Sequence, residues 1–283
     1  MKLGIIGQGF VGTAVYEGMK HAFEIATYDK AKSNLTIAEG YKEVVASTDG
    51  PIFVCLPTPM QPDGSCNLEI VTEAVQALNI FAGQAYPLVK RVVVIKSTVV
   101  PGTTDALNQR CDNLHVCFNP EFLTERNAIG DFKNQDRIII GGPRGGTGVL
   151  KSMYATAYPN VPVTKTSGTI AELVKYTTNC FLATKVAMAN EVEQICGALG
   201  VDYDKIIEYS TKDGRLGQSH WAVPGPDGKK GYGGSCFPKD LNALITLAKS
   251  LDVKPTVMEA AWQKNLEVRP ERDWEQLKGR AIS

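Results

Sequence analysis

The sequence predicts an α/β protein: a doubly wound, mainly parallel sheet followed by an all-helical region. Three observations carry this. Short runs rich in Val and Ile recur through the first half, with amphipathic segments between them. Several of those runs lack polar alternation, as strands covered on both faces do. From about Ser167 the strand signal stops and a long helical periodicity takes over.

The strands are expected, in order, at KLGIIG (2–7), FEIATYD (23–29), PIFVCLP (51–57), RVVVIKST (91–98), LHVCFNP (114–120), DRIIIGG (136–142) and VPVTK (161–165). A segment such as Leu68 to Phe81 has helical spacing, and strand–helix alternation of this kind builds parallel neighbours. The stretch after Ser167 reads as one long helix, stopped by Gly197 and Gly200. A second helix is expected from Asp202 to Tyr209, then a Gly- and Pro-rich loop over 210–235. Two more helices follow, about Lys239 to Leu251 and Thr256 to Val268, the last ended by Pro270. The predicted domains are therefore 1–166 and 167–283.

Composition bounds the rest. The 283 residues carry 43% hydrophobic and 21% charged side chains, in the range of a globular chain. Thirty basic and thirty acidic groups cancel, so net charge draws the protein neither to nucleic acid nor to membrane. No window reaches the roughly 18 apolar residues of a membrane span. The glycine-rich MKLGIIGQGF is no signal peptide. Seven cysteines without a CxxC pair point to reduced thiols in a cytoplasm, and neither they nor the three histidines have metal-site spacing.

GIIGQGFVG places Gly7, Gly9 and Gly12 in GxGxxG spacing directly after the first strand. Glycines there permit a tight turn, close backbone approach to a pyrophosphate and helix–strand packing, and the helix N-terminus favours the negative charge. ATYDK puts Asp29 at the end of the second strand, where a carboxylate binds ribose hydroxyls and disfavours a 2′-phosphate. The first domain thus reads as a Rossmann-type NAD site, with Phe10 and Val11 opening its helix. LPTP, with Pro57 and Thr58, and IKSTVVPGTT, with Thr98, lie at later strand ends, where ligands of open α/β sheets bind.

GYGGSCFPKD raises a separate question, because a free cysteine is as often a buried hydrophobe as a nucleophile. Pro238 suits the first turn of a helix whose apolar face continues through Leu241, Leu244 and Ile245. Cys236 therefore precedes a helix N-terminus, where dipole and free N–H groups stabilise a thiolate, with Lys239 adding charge. A dehydrogenase with such a thiolate can take an aldehyde to a thioester and then to an acid. It needs an oxyanion partner and a base for water. ELVKYTTNCF offers Lys175 and Asn179 on one helix face, and NPEFLTERNA offers Glu121 and Glu125 at a strand end. By local sequence alone the plainer readings, a solvated helical lysine and an acidic loop, win for each of these four.

Taken together the motifs resemble the UDP-glucose/GDP-mannose dehydrogenase family. The pattern is carried by GIIGQGFVG, LPTP, IKSTVVPGTT, NPEFLTERNAIGDFKNQDRIIIGG, AELVKYTTNCFLATKVAMANE and GYGGSCFPKD, in the family's order over most of the chain. The resemblance implies a four-electron oxidation of a nucleotide sugar's C6 alcohol to the uronic acid with two NAD. It makes Cys236 the nucleophile, Lys175 and Asn179 oxyanion donors, and Asp240 the holder of water and a base. Glu121 acts in thioester hydrolysis, Thr98 orders a water, and Glu125 lies near the nicotinamide. Substrate contacts are implied at Glu121, Phe122, Leu123, Lys175, Asn179, Tyr232 and Gly233. Arg215, in GRLG, resembles the arginine that reaches the sugar nucleotide of a neighbouring subunit. The helical domain is implied to be a homodimer core.

The chain departs from the family at several points. Arg126 stands where glycine is usual, Asn67 where aspartate is common, and WAVPGPDGKK lengthens the loop before Cys236. Trp221 and the Lys229–Lys230 pair of that loop could stack on and attract a nucleotide. LKGRAIS resembles the lead into the family's third, nucleotide-binding domain. The chain is either a piece of a longer polypeptide or a two-domain form, and the second is the expectation. Rival readings are a two-electron 3-hydroxyacid or phosphogluconate-type dehydrogenase, which needs no cysteine, and a non-catalytic NAD- or sugar-nucleotide-binding chain.

Overall fold

Seven strands pair into one sheet in the order β2-β1-β3-β4-β5-β6-β7 in the computed structural model, which describes residues 1–283. They are β1 (Lys2–Ile6), β2 (Glu24–Tyr28), β3 (Ile52–Val54), β4 (Arg91–Ile95), β5 (Leu114–Phe118), β6 (Ile138–Gly141) and β7 (Val163–Thr166). Every pairing is parallel except β5 with β6, which meet antiparallel at Phe118 and Gly141.

Helices cover both faces. On one lie α2 (Ile37–Ser47), α3 (Glu69–Ala85) and α4 (Thr103–Arg110), and on the other α1 (Phe10–Met19), α5 (Ala128–Lys133) and α6 (Arg144–Ala157). Strand β4 explains the missing polar alternation: Val93 and Ile95 enter one core while Val92 and Val94 enter the other. Each such side chain contributes about 1.5–3 kcal/mol on burial. The chain leaves β1 toward β2, then crosses back to β3 on the other side of β1. The winding therefore reverses between β1 and β3, and the crevice at their C-terminal ends is where open sheets bind ligands.

The helical part consists of α7 (Gly168–Leu199), α8 (Tyr203–Ser210), α9 (Phe237–Ser250) and α10 (Thr256–Val268). Tyr176, Cys180, Ala183 and Ala187 repeat on one side of α7 and pack with Leu241 and Ile245 of α9 and Ala261 of α10. Helix α7 runs through Gly197 and ends before Gly200, whose φ of 67° only glycine adopts without strain. Helix α9 begins at Phe237, two residues earlier than expected, with Pro238 in its first turn.

Two compact units emerge: Met1–Thr58 with Leu68–Lys175, and Pro59–Asn67 with Tyr176–Ser283. The division falls inside α7 and not at 166/167, because α7 is one unbroken helix of 32 residues. Pro59–Asn67 joins the second unit through main-chain bonds of Met60 to Ala281 and Ser283, each 2.9 Å. No helix is long and apolar enough to cross a membrane.

Candidate active site

The three glycines after β1 do three different jobs. Gly7 has a φ of 90°, and a Cβ on it would lie 2.3 Å from the Cys55 carbonyl oxygen. A Cβ on Gly12 would lie 1.9 Å from the Gly7 oxygen, so α1 packs at the turn only with glycine there. At Gly9 a Cβ would meet nothing within 4 Å, which leaves that side of the turn open to a ligand. No side chain caps α1, so its first N–H groups, from Phe10 onward, face the place where a pyrophosphate binds. Asp29 is fixed by two backbone donors, Gln8 N at 2.6 Å and Ala31 N at 2.9 Å. A cavity of about 380 Å³ lies beside it, lined by Tyr28, Ser33, Leu35 and Val44 among others. A free approach at Gly9, an uncapped helix and an anchored acid beside a cavity fit NAD.

The tips of β3 and β4 are tied together. Ser97 Oγ accepts from Leu56 N at 2.9 Å and donates to Leu56 O at 2.6 Å. Thr58 Oγ1 donates to the Thr98 carbonyl at 2.8 Å, and both threonines are buried, while Pro57 is exposed.

Beyond β5 the chain brings two site residues together. Lys175 Nζ lies 2.8 Å from Glu121 Oε1 and donates to Glu121 O at 2.6 Å, and Leu123 N donates to Glu121 Oε2 at 2.7 Å. Burial alone would raise the Glu121 pKa, but the Lys175 charge, these hydrogen bonds and Lys96 outweigh it and hold the carboxyl below its usual value. The Phe122 ring lies between two cations, 4.6 Å from Arg137 Cζ and 5.7 Å from Lys175 Nζ. Leu123 packs against the α1, α5 and α6 face of the sheet. Glu125 opens an exposed 3-10 turn, Glu125–Asn127, which also holds Arg126.

In the helical unit Cys236 is the N-cap of α9, half-buried, with Ser235 Oγ 3.8 Å from its sulfur. Asp240, one turn on and 1% exposed, is held at both oxygens: Asn179 Nδ2 donates to Oδ2 at 2.6 Å and Lys239 Nζ to Oδ1 at 2.5 Å. Burial works against the Lys239 charge, but Asp240 and the thiols of Cys236 and Cys66 raise its pKa above the usual lysine value. Lys239 thus stays an ammonium beside Cys236, the setting that favours a thiolate.

Sequence reasoning missed what holds this turn. Asn265, fully buried on α10, accepts from Tyr232 N at 2.7 Å and donates to Tyr232 O at 2.9 Å. Arg269, 2% exposed, donates to Asp273 and Asp227 at 2.6 Å each and to Lys230 O at 3.2 Å. Asp273 Oδ2 in turn accepts from Gly234 N at 3.1 Å, and Asn190 of α7 accepts from Gly231 N at 3.1 Å. A Cβ on Gly233 would lie 2.3 Å from Asp273 Oδ1, so this glycine is required by the clamp. The missed signal was the polar residues on the inward side of α10.

Other expected contacts are placed differently. Tyr232 is a core residue, 4% exposed, with its hydroxyl donating to the Ala261 carbonyl at 3.3 Å. Arg215 is 89% exposed at the side chain and paired with Asp213 of its own loop. Lys229 and Lys230 pair with Glu271 and Glu193, and Lys185 Nζ sits 4.7 Å from the Trp221 ring. The long loop is therefore tied to its own unit.

The fold and the turn at Gly7–Gly12 define a dinucleotide-binding α/β protein with an appended helical unit. The chain belongs to the UDP-glucose/GDP-mannose dehydrogenase family. It matches the family's NAD binding domain over 20–158 and its central domain over 169–267. The glycine turn precedes the first match, so its geometry is independent support for the NAD site. UDP-glucose 6-dehydrogenase AglM of Haloferax volcanii is 32% identical over 99% of this chain and 73% of its own length. UDP-glucose 6-dehydrogenase YwqF of Bacillus subtilis is 36% identical over 81% of this chain and 51% of its own. The chain spans about half the length of several such relatives. A UDP-glucose dehydrogenase structure from Pyrobaculum islandicum superposes with a TM-score of 0.83 at 30% identity, covering 98% of this chain and 70% of that one. A 3-hydroxyisobutyrate dehydrogenase from Mycobacterium tuberculosis shares the fold alone, at 15% identity and a TM-score of 0.73, covering 96% and 94% of the two chains.

Proposed function

We propose that this chain is an NAD-dependent nucleotide-sugar 6-dehydrogenase acting on a UDP-sugar, UDP-glucose first. The carrying observation is Cys236 at the N-cap of α9 with Lys239 and the doubly held Asp240 in the following turn. A two-electron hydroxyacid dehydrogenase has no use for that thiol. The names of the relatives support the substrate.

The residues act as follows. Asp240 receives the C6 hydroxyl proton through the water it holds. The Cys236 thiolate adds to the C6 aldehyde, and the new C–S bond gives a thiohemiacetal. Lys175 and Asn179 donate to the oxygen as it gains charge. Loss of the second hydride leaves a thioester on Cys236. Glu121 directs a water, ordered with Thr98, onto the thioester; the C–S bond breaks and the uronate leaves. NAD, when bound, supplies the acceptor for each hydride, one molecule per step. The test is incubation with NAD and a panel of UDP- and GDP-sugars. Two NADH per sugar support the proposal, one supports the two-electron rival, and none with any sugar would reject catalysis.

Asp29→Ala is expected to weaken NAD by about tenfold, the loss of a charged contact worth about 1.4 kcal/mol, and to narrow the preference over NADP. Fluorescence titration with both cofactors measures this. An unchanged selectivity would remove Asp29 from the ribose site.

The functional form is a homodimer in a reducing cytoplasm. Phe181, Met188 and Ile195 recur every seventh residue on α7 and are 68%, 54% and 52% exposed, an apolar stripe that monomers seldom present. No disulfide joins the seven cysteines. Arg215 then reaches the neighbour's sugar nucleotide. Arg215→Ala subunits mixed with Cys236→Ser subunits should regain one site of normal KM. Recovery of nothing beyond the Arg215→Ala parent would discard the shared site.

A further inference from the structure

Lys96 follows β4 and is 3% exposed, and the reaction scheme above gives it no task. Its Nζ lies 3.0 Å from Asn119 Oδ1 and 3.4 Å from the Pro120 carbonyl, with the Phe132 ring centroid at 5.6 Å. These contacts are neutral. Asn119 is itself fixed, accepting from Tyr154 OH at 2.5 Å and donating to Ile139 O at 2.7 Å. An ammonium buried on neutral acceptors is costly and persists only where a nearby charge rewards it.

The charged and titratable groups around it are Glu121 after β5, Lys175 of α7 and Cys55 after β3, with Tyr154 of α6 beyond Asn119. Glu121 is the carboxylate among them: it is 7% exposed and directly follows Pro120, whose carbonyl lies 3.4 Å from Lys96 Nζ. Its ion-pair partner, Lys175, directs two donors at Glu121, one to the carboxylate and one to the main chain. Two of the three Lys175 protons are directed at Glu121, so a developing oxyanion that also draws on Lys175 competes with Glu121 for the one positive charge. A buried carboxylate whose counter-charge is shared with a second anion takes up a proton more readily, and a protonated Glu121 cannot activate water.

We propose that Lys96 is a positioning residue for this reaction: its ammonium is the second counter-charge of Glu121, keeping that carboxylate ionised while Lys175 serves the oxyanion. The inference rests on the dehydrogenase reading given above. Burial lowers the Lys96 pKa to about 8, against the pull of Cys55 and Glu121, so the ammonium is the main form at neutral pH and is lost just above it.

Two measurements test this. The first needs no turnover: the Glu121 carboxyl is titrated by NMR in chain labelled with 13C-glutamate, as parent, Lys96→Met, Lys96→Gln and Lys96→Arg. The midpoint should rise by a pH unit or more in the Met and Gln variants and return in Lys96→Arg. A midpoint that stays put in a folded neutral variant overturns the proposal, whatever the substrate. The second is kcat for UDP-glucose against pH. The neutral variants should lose tenfold or more in kcat, with the acid limb moved up and the KM for NAD within twofold, and Lys96→Arg should recover most of it. A loss confined to KM, or an unmoved acid limb, also overturns it. A parent that reduces no NAD with any sugar nucleotide rejects the dehydrogenase reading instead, and the titration then decides Lys96 alone.

Discussion

Cys236→Ser is expected to abolish uronic acid formation, with kcat lowered on the order of 10⁴-fold, as when a covalent nucleophile is removed. NAD binding should remain within about twofold, since a single hydroxyl-for-thiol exchange leaves the Gly7–Gly12 turn untouched. The reason is the thiolate. At the N-cap of α9, with Lys239 held as an ammonium beside it, the sulfur sits where the helix dipole and a positive charge favour the thiolate over the thiol. A serine hydroxyl is a far weaker acid than a thiol, so the same surroundings leave it protonated and a poorer nucleophile. NADH release and uronate should be followed together. Full turnover by the serine variant would sink the thioester route. One NADH per sugar, with aldehyde released, would keep the first oxidation and assign Cys236 to the second.

Asn265→Leu should cost the most stability of any single change near the site. The two side chains are close in size, but leucine leaves Tyr232 N and Tyr232 O buried without the partners they have at 2.7 and 2.9 Å. Each unmet group costs about 1–3 kcal/mol, so the total is about 2–6 kcal/mol. A domain's whole stability is about 5–15 kcal/mol, so the change is severe. The urea midpoint should fall accordingly. Because Tyr232 leads through Gly233, Gly234 and Ser235 to Cys236, kcat should fall even where the variant is folded. A midpoint lowered by less than the equivalent of about 1 kcal/mol, with kcat intact, would show that the turn does not depend on this clamp.

Much of this was legible beforehand, for local reasons. The central strands announced themselves because a strand buried on both faces must be apolar at every position, as Val92 to Ile95 are. Gly7 and Gly12 were legible because the turn excludes a Cβ at each, a demand the chain meets only with glycine. The place of Cys236 at a helix start was legible because Pro238 and the apolar spacing after it mark one. The clamp was not. Asn265, Arg269 and Asp273 follow one another at the end of a helix, and polar residues there read as solvated. Their importance comes from burial against a loop more than thirty residues earlier. The burial of Tyr232 was not legible either: its neighbours in the chain are small and polar, and only the fold brings the Ala261 carbonyl to its hydroxyl.

By itself the sequence determined the class of fold, the dinucleotide turn and the kind of chemistry available. Each of these depends on residues close together in the chain, through backbone conformations that few residue types adopt and through periodicities that decide which face is buried. Only the tertiary structure decided the strand order β2-β1-β3, the reversed β6, the passage of α7 through both units and the partners of Glu121, Asp240 and Lys96. Those depend on which distant segments share one desolvated space. A lysine after a strand has the same local sequence whether it ends in water or beside a buried carboxylate, and the difference lies in the loss of water, which no neighbour in the chain records.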